Sequence, residues 1–396
     1  MASSFSHPDI PEESMPSVRV CLTVGDIRIG GPFRPSLTLG LERRRHRLQT
    51  GFSLIELMIA LTIGLIVLLA VSVIFSQVSS GFRSNDDSSR ASENGNFALR
   101  VIGEDLRMVG FTGLSNDPAR IELVRTDMID ASPANNCGTT TWPFPNTNPG
   151  LEHIVDPGSL PCIPAGTYLP TSPAIVVRHA TGMQTLPANV GASTNLFLQS
   201  SPDGGIIFMG TDYAEKVWGA DRGLTVCGYI GGACTNPAAP IFQYVAYVYY
   251  IRPCSRPTGP GPSCLAADDE GQPIPTLVRR QLGGANPTSL SFVEVPIAEG
   301  VERLSVTYGL DANGDGTPEQ YKAAPSAAEL TQAITVRLSL LMRTRKPDYN
   351  HDDSPYTYTL ANGTTYNCAA DPAPSCKYRR YLYNTTVLLK NNAFRR

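Results

Sequence analysis

One segment, RRRHRLQTGFSLIELMIALTIGLIVLLAV (residues 43–71), sets the character of the N-terminal part of the chain. It joins a basic stretch to a long apolar run, and no charged residue lies between Leu57 and Phe75. A helix of this length spans a hydrocarbon core of ~30 Å at about 1.5 Å per residue. The run exceeds the ~7–15 apolar residues of a cleaved secretory signal. It therefore predicts a transmembrane helix at about residues 54–76.

The charges beside this run predict its orientation. Arg43, Arg44, Arg45 and Arg47 precede the apolar residues. Positive charge stays on the cytoplasmic side of a membrane, so the N-terminus is expected in the cytoplasm. The long C-terminal part of the chain is then expected on the exported side.

The cysteines agree with this orientation. Of the nine cysteines, only Cys21 precedes the apolar run. An even set on one side of a membrane segment is typical of disulfides in an oxidising compartment, with buried free thiols as the alternative. Histidines are few and no C-x-x-C occurs, which disfavours a zinc site. In chain order the predicted pairs, among many possible connectivities, are Cys137–Cys162, Cys227–Cys234, Cys254–Cys264 and Cys368–Cys376.

The overall composition restricts the class of protein. The 396 residues carry a net charge of −3, so no basic field indicates nucleic-acid binding. Charged residues make up 17% of the chain, whereas 35 glycines and 33 prolines are present. This balance indicates a loop-rich β domain outside the membrane segment.

A single acid, Glu56, lies inside the apolar run. A carboxylate in the membrane is unfavourable unless it is paired, so a plain single-pass anchor leaves Glu56 unexplained. The string GFSLIELM (residues 51–58) resembles the type III signal of type IV pilins and of type II secretion pseudopilins. The resemblance implies that a prepilin peptidase cuts between Gly51 and Phe52 and methylates the new amine of Phe52.

The same resemblance gives Glu56 a role. In the pilin family the acid of an incoming subunit is thought to pair with the N-terminal amine of a neighbour in the filament. An amine and a carboxylate inside lipid both need partners, and such a pair fixes register between subunits. Glu56 is therefore predicted to be an assembly contact.

The helix is predicted to continue past the membrane. Ala98, Ile102, Leu106 and Val109 form an apolar stripe at helical spacing, and the GFTG at residues 110–113 resembles a helix end. The predicted organisation is a leader at 1–51, a spine helix at 52–110 and a β-rich globular domain at 111–396. A leader of this length is unusual for the family. Either the true start of translation lies near Leu39 or Leu41, or the protein has a long leader that processing removes. In both cases the mature protein is expected to lack Cys21.

The sequence after the spine helix predicts a β domain, so the expected fold class is α+β. Polar Thr335, Arg337 and Ser339 alternate with apolar neighbours, which suggests an antiparallel sheet with one wet face, packed on the helix stripe. Long loops at 131–166, 253–275 and 346–377 carry most of the cysteines. The predicted strands are 174–179, 195–199, 205–210, 242–251, 276–282, 303–310, 333–344 and 381–390.

The order of these strands after a pilin signal is similar to that of PilW-type minor pilins, over most of residues 52–396. The resemblance implies a structural subunit that primes filament assembly with other minor pilins and sits at the pilus tip. Its implied partners are the major pilin, a tip adhesin and the inner-membrane assembly platform. It also implies an inner-membrane, single-pass subunit with a periplasmic head that later reaches the pilus and cell surface. A type II secretion pseudopilin and a membrane-anchored, calcium-dependent adhesin are the alternatives.

One loop, DANGDGTPE (residues 311–319), has the pattern of a calcium site. Asp311, Asn313 and Asp315 alternate before a glycine, as in the first half of an EF-hand loop, and Thr317 and Glu319 offer further oxygens. Lys322 stands where an EF-hand ends in a bidentate glutamate. A tight turn between strands needs the same residue types, so both interpretations stay open.

No enzymatic motif is evident, and no cofactor is required. The chain has no G-x-S-x-G elbow, no H-E-x-x-H and no phosphate-binding loop. The His351-Asp352-Asp353 triplet is predicted to be a solvated loop. The sequence therefore predicts a structural rather than a catalytic protein.

Overall fold

The computed structural model describes residues 53–146, 148–191, 193–202, 204–213, 239–283 and 289–393. The chain divides into two compact units, Met1–Leu68 and Leu69–Arg396. Within the first unit the described residues form the beginning of a helix. The second unit contains the remainder of that helix and all of the described strands.

A single long helix, α1, runs from Leu54 to Met108. Its large apolar side chains between Leu54 and Val78 are exposed, whereas the predicted stripe of Ala98, Ile102, Leu106 and Val109 is buried. Among the described residues, α1 is the one helix long and apolar enough to cross a membrane. The helix is continuous, although the sequence places four glycines in it.

The end of α1 is closed by a glycine turn and a side-chain cap. Gly110 has a φ of 71°, a left-handed conformation that glycine adopts without strain. The Asn391 amide donates to the carbonyl oxygens of Met108 and Val109, at 3.3 and 3.0 Å. Carbonyls at a helix end have no partner within the helix. The Met108 carbonyl also accepts from the Phe111 N–H at 2.8 Å, so the Asn391 amide adds a second bond there and a side-chain donor for Val109.

The head contains two main sheets and a small hairpin. The eight-stranded sheet contains β1 Ile121–Leu123, β2 Leu151–Ile154, β3 Ala174–Gln184, β4 Leu196–Ser201, β5 Gly204–Met209, β6 Ile241–Arg252, β7 Thr276–Gly283 and β8 Ser291–Glu299. The four-stranded sheet contains β9 Val301–Leu310, β10 Gln320–Lys322, β11 Ala333–Arg343 and β14 Arg380–Leu388. The hairpin pairs β12 Tyr358–Thr359 with β13 Thr365–Tyr366.

Short helices lie in the connections. The α-helical turns are α2 Pro133–Asn136, α3 Asp268–Gly271, α4 Ala327–Leu330 and α5 Lys390–Ala393. The 3-10 turns are Pro118–Arg120, Pro157–Ser159, Pro187–Asn189, Gly210–Asp212, Cys368–Ala370 and Ser375–Lys377.

Strand β6 is the centre of the larger sheet. It pairs with β3 along one edge and with both β4 and β7 along the other. The strands continue from β4 to β5 and β1, and from β7 to β8. All of these pairs are antiparallel except β1 with β5, which is parallel. In the smaller sheet the order is β10-β9-β11-β14, and every pair is antiparallel.

The main core forms where the α1 stripe meets both sheets. One apolar cluster joins the stripe to Val177 and Tyr249 of the larger sheet and to Val336 and Leu338 of the smaller sheet. The α+β class is therefore confirmed, and the predicted packing of a sheet on the helix stripe is correct. The prediction of one sheet was wrong, since two sheets share the stripe.

The predicted wet face of the smaller sheet is also only partly correct. Arg337 is exposed, but Ser339 and Leu341 on the same face are fully buried. The β12–β13 hairpin covers this part of the face, and its Leu360 and Tyr366 pack on Leu341. The loop that carries the hairpin is thus a packed layer rather than a simple surface excursion.

Candidate functional site

The predicted assembly residue lies in the first turn of α1. Glu56 is exposed, and its Oε2 accepts a hydrogen bond from the backbone N–H of Ser53 at 2.9 Å. This contact satisfies one of the free N–H groups of a helix N-terminus, where a negative charge is also favoured by the helix dipole. The predicted cleavage residues Gly51 and Phe52 lie outside the described residues, so their roles stay predictions.

The described cysteines that follow α1 form disulfides. Three of the predicted pairs are disulfides in the structure, with Cα atoms 4.5 to 5.7 Å apart: Cys137–Cys162, Cys254–Cys264 and Cys368–Cys376. The fourth pair, Cys227 and Cys234, lies outside the described residues, as does Cys21. Cys254–Cys264 and Cys368–Cys376 each close a connection within a predicted long loop. The prediction of an unbroken loop at 131–166 was wrong, because β2 lies inside it, and Cys137–Cys162 joins the segments on either side of that strand.

Two consecutive aspartates organise the loop between β6 and β7. Asp268 is fully buried and accepts hydrogen bonds from Thr258 and from the Leu265 N–H, which lower the pKa of its carboxyl. Asp269, in a left-handed conformation with φ of 53°, accepts from the N–H groups of Ser255 and Ile274, at 2.9 and 2.8 Å. Together with Cys254–Cys264 they hold this loop in one conformation.

A buried arginine anchors the loop between β11 and β14. Arg380 is fully buried at its side chain and binds Glu302 at 2.6 Å and Asp353 at 3.0 Å. Its Nη2 also donates to the Ser375 hydroxyl at 2.9 Å. The prediction that the His351-Asp352-Asp353 triplet is solvated was therefore wrong for Asp353, which is 1% exposed. A buried carboxylate requires a partner, and Arg380 provides it.

The acidic loop between β9 and β10 brings its carboxylates together. Ligand atoms of Asp311, Asp315 and Glu319 lie within 4.8 Å of one another. Asp311 is buried and accepts from the N–H groups of Gly314 and Gly316, at 2.6 and 3.1 Å. Oxygen donors in this arrangement suit Ca2+, which prefers carboxylates and carbonyls.

The other polar groups of this loop bind within it. Asp315 accepts from Thr317, and Asn313 donates to Asp315 at 3.1 Å. Lys322 binds Glu329 at 2.7 Å, beyond the acidic loop. These contacts close a tight turn without any ion, so calcium binding at Asp311, Asn313, Asp315, Thr317 and Glu319 stays a prediction.

Two family models match the chain in the regions just described. The model of the prokaryotic N-terminal methylation motif matches residues 46–72, and that of the type IV pilus-assembly protein W (PilW) matches residues 249–391. These two regions of the chain are similar to those of PilW-type pilins. The first match contains the GFSLIELM string and Glu56. The second runs from the end of β6 to α5 and includes the whole four-stranded sheet.

Other comparisons add little to this assignment. No curated protein matches the chain. Among solved structures, a type IV-like pilin from Thermus thermophilus is similar at 10% identity and a TM-score of 0.30, covering 76% of this chain and 97% of its own. A likeness this low carries no argument. The pilin assignment therefore rests on the two family models, and the fold is described from the structure itself.

Proposed function

We propose that this protein is a PilW-type pilin, a structural, non-enzymatic minor subunit that primes type IV pilus assembly and stays at or near the pilus tip. The observation that carries the proposal is the N-terminal part of α1. Its large apolar residues are exposed, and its first turn contains a lone acid, Glu56, shortly after the predicted cleavage site. A helix that is apolar on all faces is stable in lipid or among other such helices.

Glu56 supplies the specificity in this proposal. In the isolated chain its carboxylate is bonded to the N–H of Ser53. Cleavage before Phe52 creates a cationic amine on each subunit, and a neighbour's amine then pairs with the carboxylate in place of water. Breaking such a pair by removing one partner costs about 3–5 kcal/mol when the site is buried.

The topology belongs to the same proposal. The N-terminus lies in the cytoplasm, and the head lies in the periplasm before the subunit enters the pilus. The disulfides in the described loops support an oxidising compartment for the head. The implied partners are other minor pilins, the major pilin, a tip adhesin, the prepilin peptidase and the assembly platform.

The decisive experiment combines processing and assembly. N-terminal sequencing and mass measurement of the mature protein should find a methylated Phe52 when the peptidase is active and an intact leader when it is deleted. Glu56→Ala should insert and be cleaved normally, yet its recovery in sheared pili should fall about 100-fold or more. Glu93→Ala, which changes an exposed acid later on α1, is the matched control. Wild-type assembly of Glu56→Ala would contradict the proposed contact.

Two alternatives give different results in the same cells. A type II secretion pseudopilin would leave pili intact on deletion but abolish secretion of exported enzymes. A plain anchored, calcium-dependent adhesin would keep its leader and never enter a filament. The convergence of Asp311, Asp315 and Glu319 is what favours calcium. Calorimetry of the full chain in detergent with millimolar Ca2+ should show heat that Asp315→Ala removes; no heat leaves only the turn.

A further inference from the structure

A polar cluster lies between the last turns of α1 and the larger sheet. Asp105 of α1 is at its centre, and the Tyr249 hydroxyl of β6 donates to its Oδ2. Oδ1 of Asp105 lies 3.6 Å from Nε2 of His179 on β3, and Oδ2 lies 3.8 Å from Nη1 of Arg279 on β7. One carboxylate of the helix thus faces side chains from three strands.

The ring of His179 faces a hydrogen-bond acceptor at each nitrogen. Its Nδ1 lies 2.9 Å from the carbonyl oxygen of Ala180, and a carbonyl can only accept, so Nδ1 carries a hydrogen. In a neutral imidazole Nε2 then has no hydrogen, although it faces the Asp105 carboxylate. Nε2 is buried and has no hydrogen-bond partner in this state. Only the imidazolium form has a hydrogen to donate at both nitrogens.

We propose that His179 is a proton-dependent latch between the spine helix and the head. When the imidazole takes up a proton from solvent, Nε2–H donates to Oδ1 of Asp105 and ties the last turns of α1 to β3. When the proton leaves, this bond is lost and two acceptors face each other. Attachment of the head to its helix is then stronger in acid than at neutral pH.

The other groups around His179 fit this assignment. From β6, Tyr247 packs edge-on against the ring at 6.2 Å, and burial raises the pKa of Tyr249 well above its ordinary value, so both stay neutral. From β7, Arg279 is the charge that opposes protonation. Its guanidinium is held by the Gln281 side chain at 2.7 Å and lies over the Tyr247 ring at 4.1 Å. From α1, Asp105 is the acid that favours protonation.

Thermal unfolding of the full chain in detergent, followed by near-ultraviolet circular dichroism, tests the latch. A bond made only by the protonated histidine stabilises the fold below the ordinary histidine pKa and is lost as pH rises. The Tm deficit of His179→Gln relative to wild type should therefore be about 2–4 °C larger at pH 5 than at pH 8. Asp105→Asn combined with His179→Gln should show coupling at pH 5 and none at pH 8. A deficit that is equal at both pH values, or larger at pH 8, overturns the proposal.

His153 provides a matched control with the opposite sign. Its Nδ1 lies 3.1 Å from the Tyr308 hydroxyl, and burial lowers the pKa of its imidazole to about 4. Native His153 resists protonation, so His153→Gln should gain relative stability as pH falls. If His153→Gln instead shows the same loss in acid as His179→Gln, the effect is general acid sensitivity and no latch exists.

A second measurement leaves His179 unchanged, in case its substitution prevents folding. Protein with carbon-13-labelled histidine can be followed by NMR as pH is varied, in the wild type and in Asp105→Asn. One imidazole resonance, that of His179, should change its chemical shift with a midpoint at lower pH in Asp105→Asn. No shifted midpoint among the histidine resonances rejects the latch.

Discussion

The two parts of helix α1 differ in the burial of their apolar side chains, although they belong to one continuous helix. Between Leu54 and Val78 the large apolar side chains are exposed, whereas between Ala98 and Val109 a single apolar stripe is buried in the head core. An amphipathic stripe finds its partner within the same chain, but a helix that is apolar all round requires lipid or other helices. The difference separates the residues that fold this protein from those that we propose assemble it into a filament.

The largest expected effect comes from replacing a buried isoleucine of the second part of α1 with alanine. An exposed isoleucine of the first part serves as the control. Ile102 is fully buried, so Ile102→Ala should lower the free energy of unfolding by about 2–5 kcal/mol through lost burial and a cavity. Ile66 is 65% exposed, so Ile66→Ala should leave unfolding of the head unchanged. Chemical denaturation of the full chain in detergent measures both. Equal losses from the two variants would show that the division is wrong.

The glycines of α1 sharpen the same comparison. A Cβ at Gly95 would lie 2.8 Å from the Tyr383 ring, whereas a Cβ at Gly64 meets nothing within 4 Å. Gly95→Ala should therefore destabilise the head by about 1–3 kcal/mol through overpacking. Gly64→Ala should favour the helix by up to ~1 kcal/mol, visible as loss of the far-ultraviolet helix signal at a higher temperature. A stabilising Gly95→Ala would mean that the helix does not contact β14 this closely.

The smallest expected effect is at the end of the buried part. Asn391→Ala removes the amide that caps Met108 and Val109, and a typical hydrogen bond contributes about 1 kcal/mol. Asn96→Ala is the control, because its amide donates to the Ser92 carbonyl on the exposed side of the helix, at 3.0 Å. In urea denaturation, the midpoint of Asn391→Ala should lie at a lower urea concentration than that of Asn96→Ala. A neutral Asn391→Ala would show that water replaces the cap.

Much of the fold could be predicted because its signals are local. Helix periodicity predicted the buried stripe from Ala98 to Val109, and runs of β-branched and aromatic residues predicted strands such as β6 and β11. Strand β8 was missed because Pro296, which favours loops, lies inside it. The second sheet was missed because sequence periodicity does not reveal which strands pair.

The buried charges of the head could not be predicted for a related reason. Asp353 sits in a polar stretch that is typical of solvent, and its partner Arg380 lies 27 residues further along the chain. Nothing local in the sequence marks either residue as buried. His179 and Asp105 were missed in the same way, because only the folded helix and sheet bring them together. Glu56 could be singled out because its signal, an acid in an apolar run, is local, and its role stays a prediction.

The described disulfides have one more consequence. Each joins cysteines at most 25 residues apart in the chain, and none of these three links the larger sheet to the smaller one. Such short cross-links can close one after another as the chain folds, without waiting for distant strands. The two sheets are held together by the backbone and by their shared packing on α1. A pull along the helix would therefore load noncovalent packing, while the covalent cross-links carry no tension between the sheets.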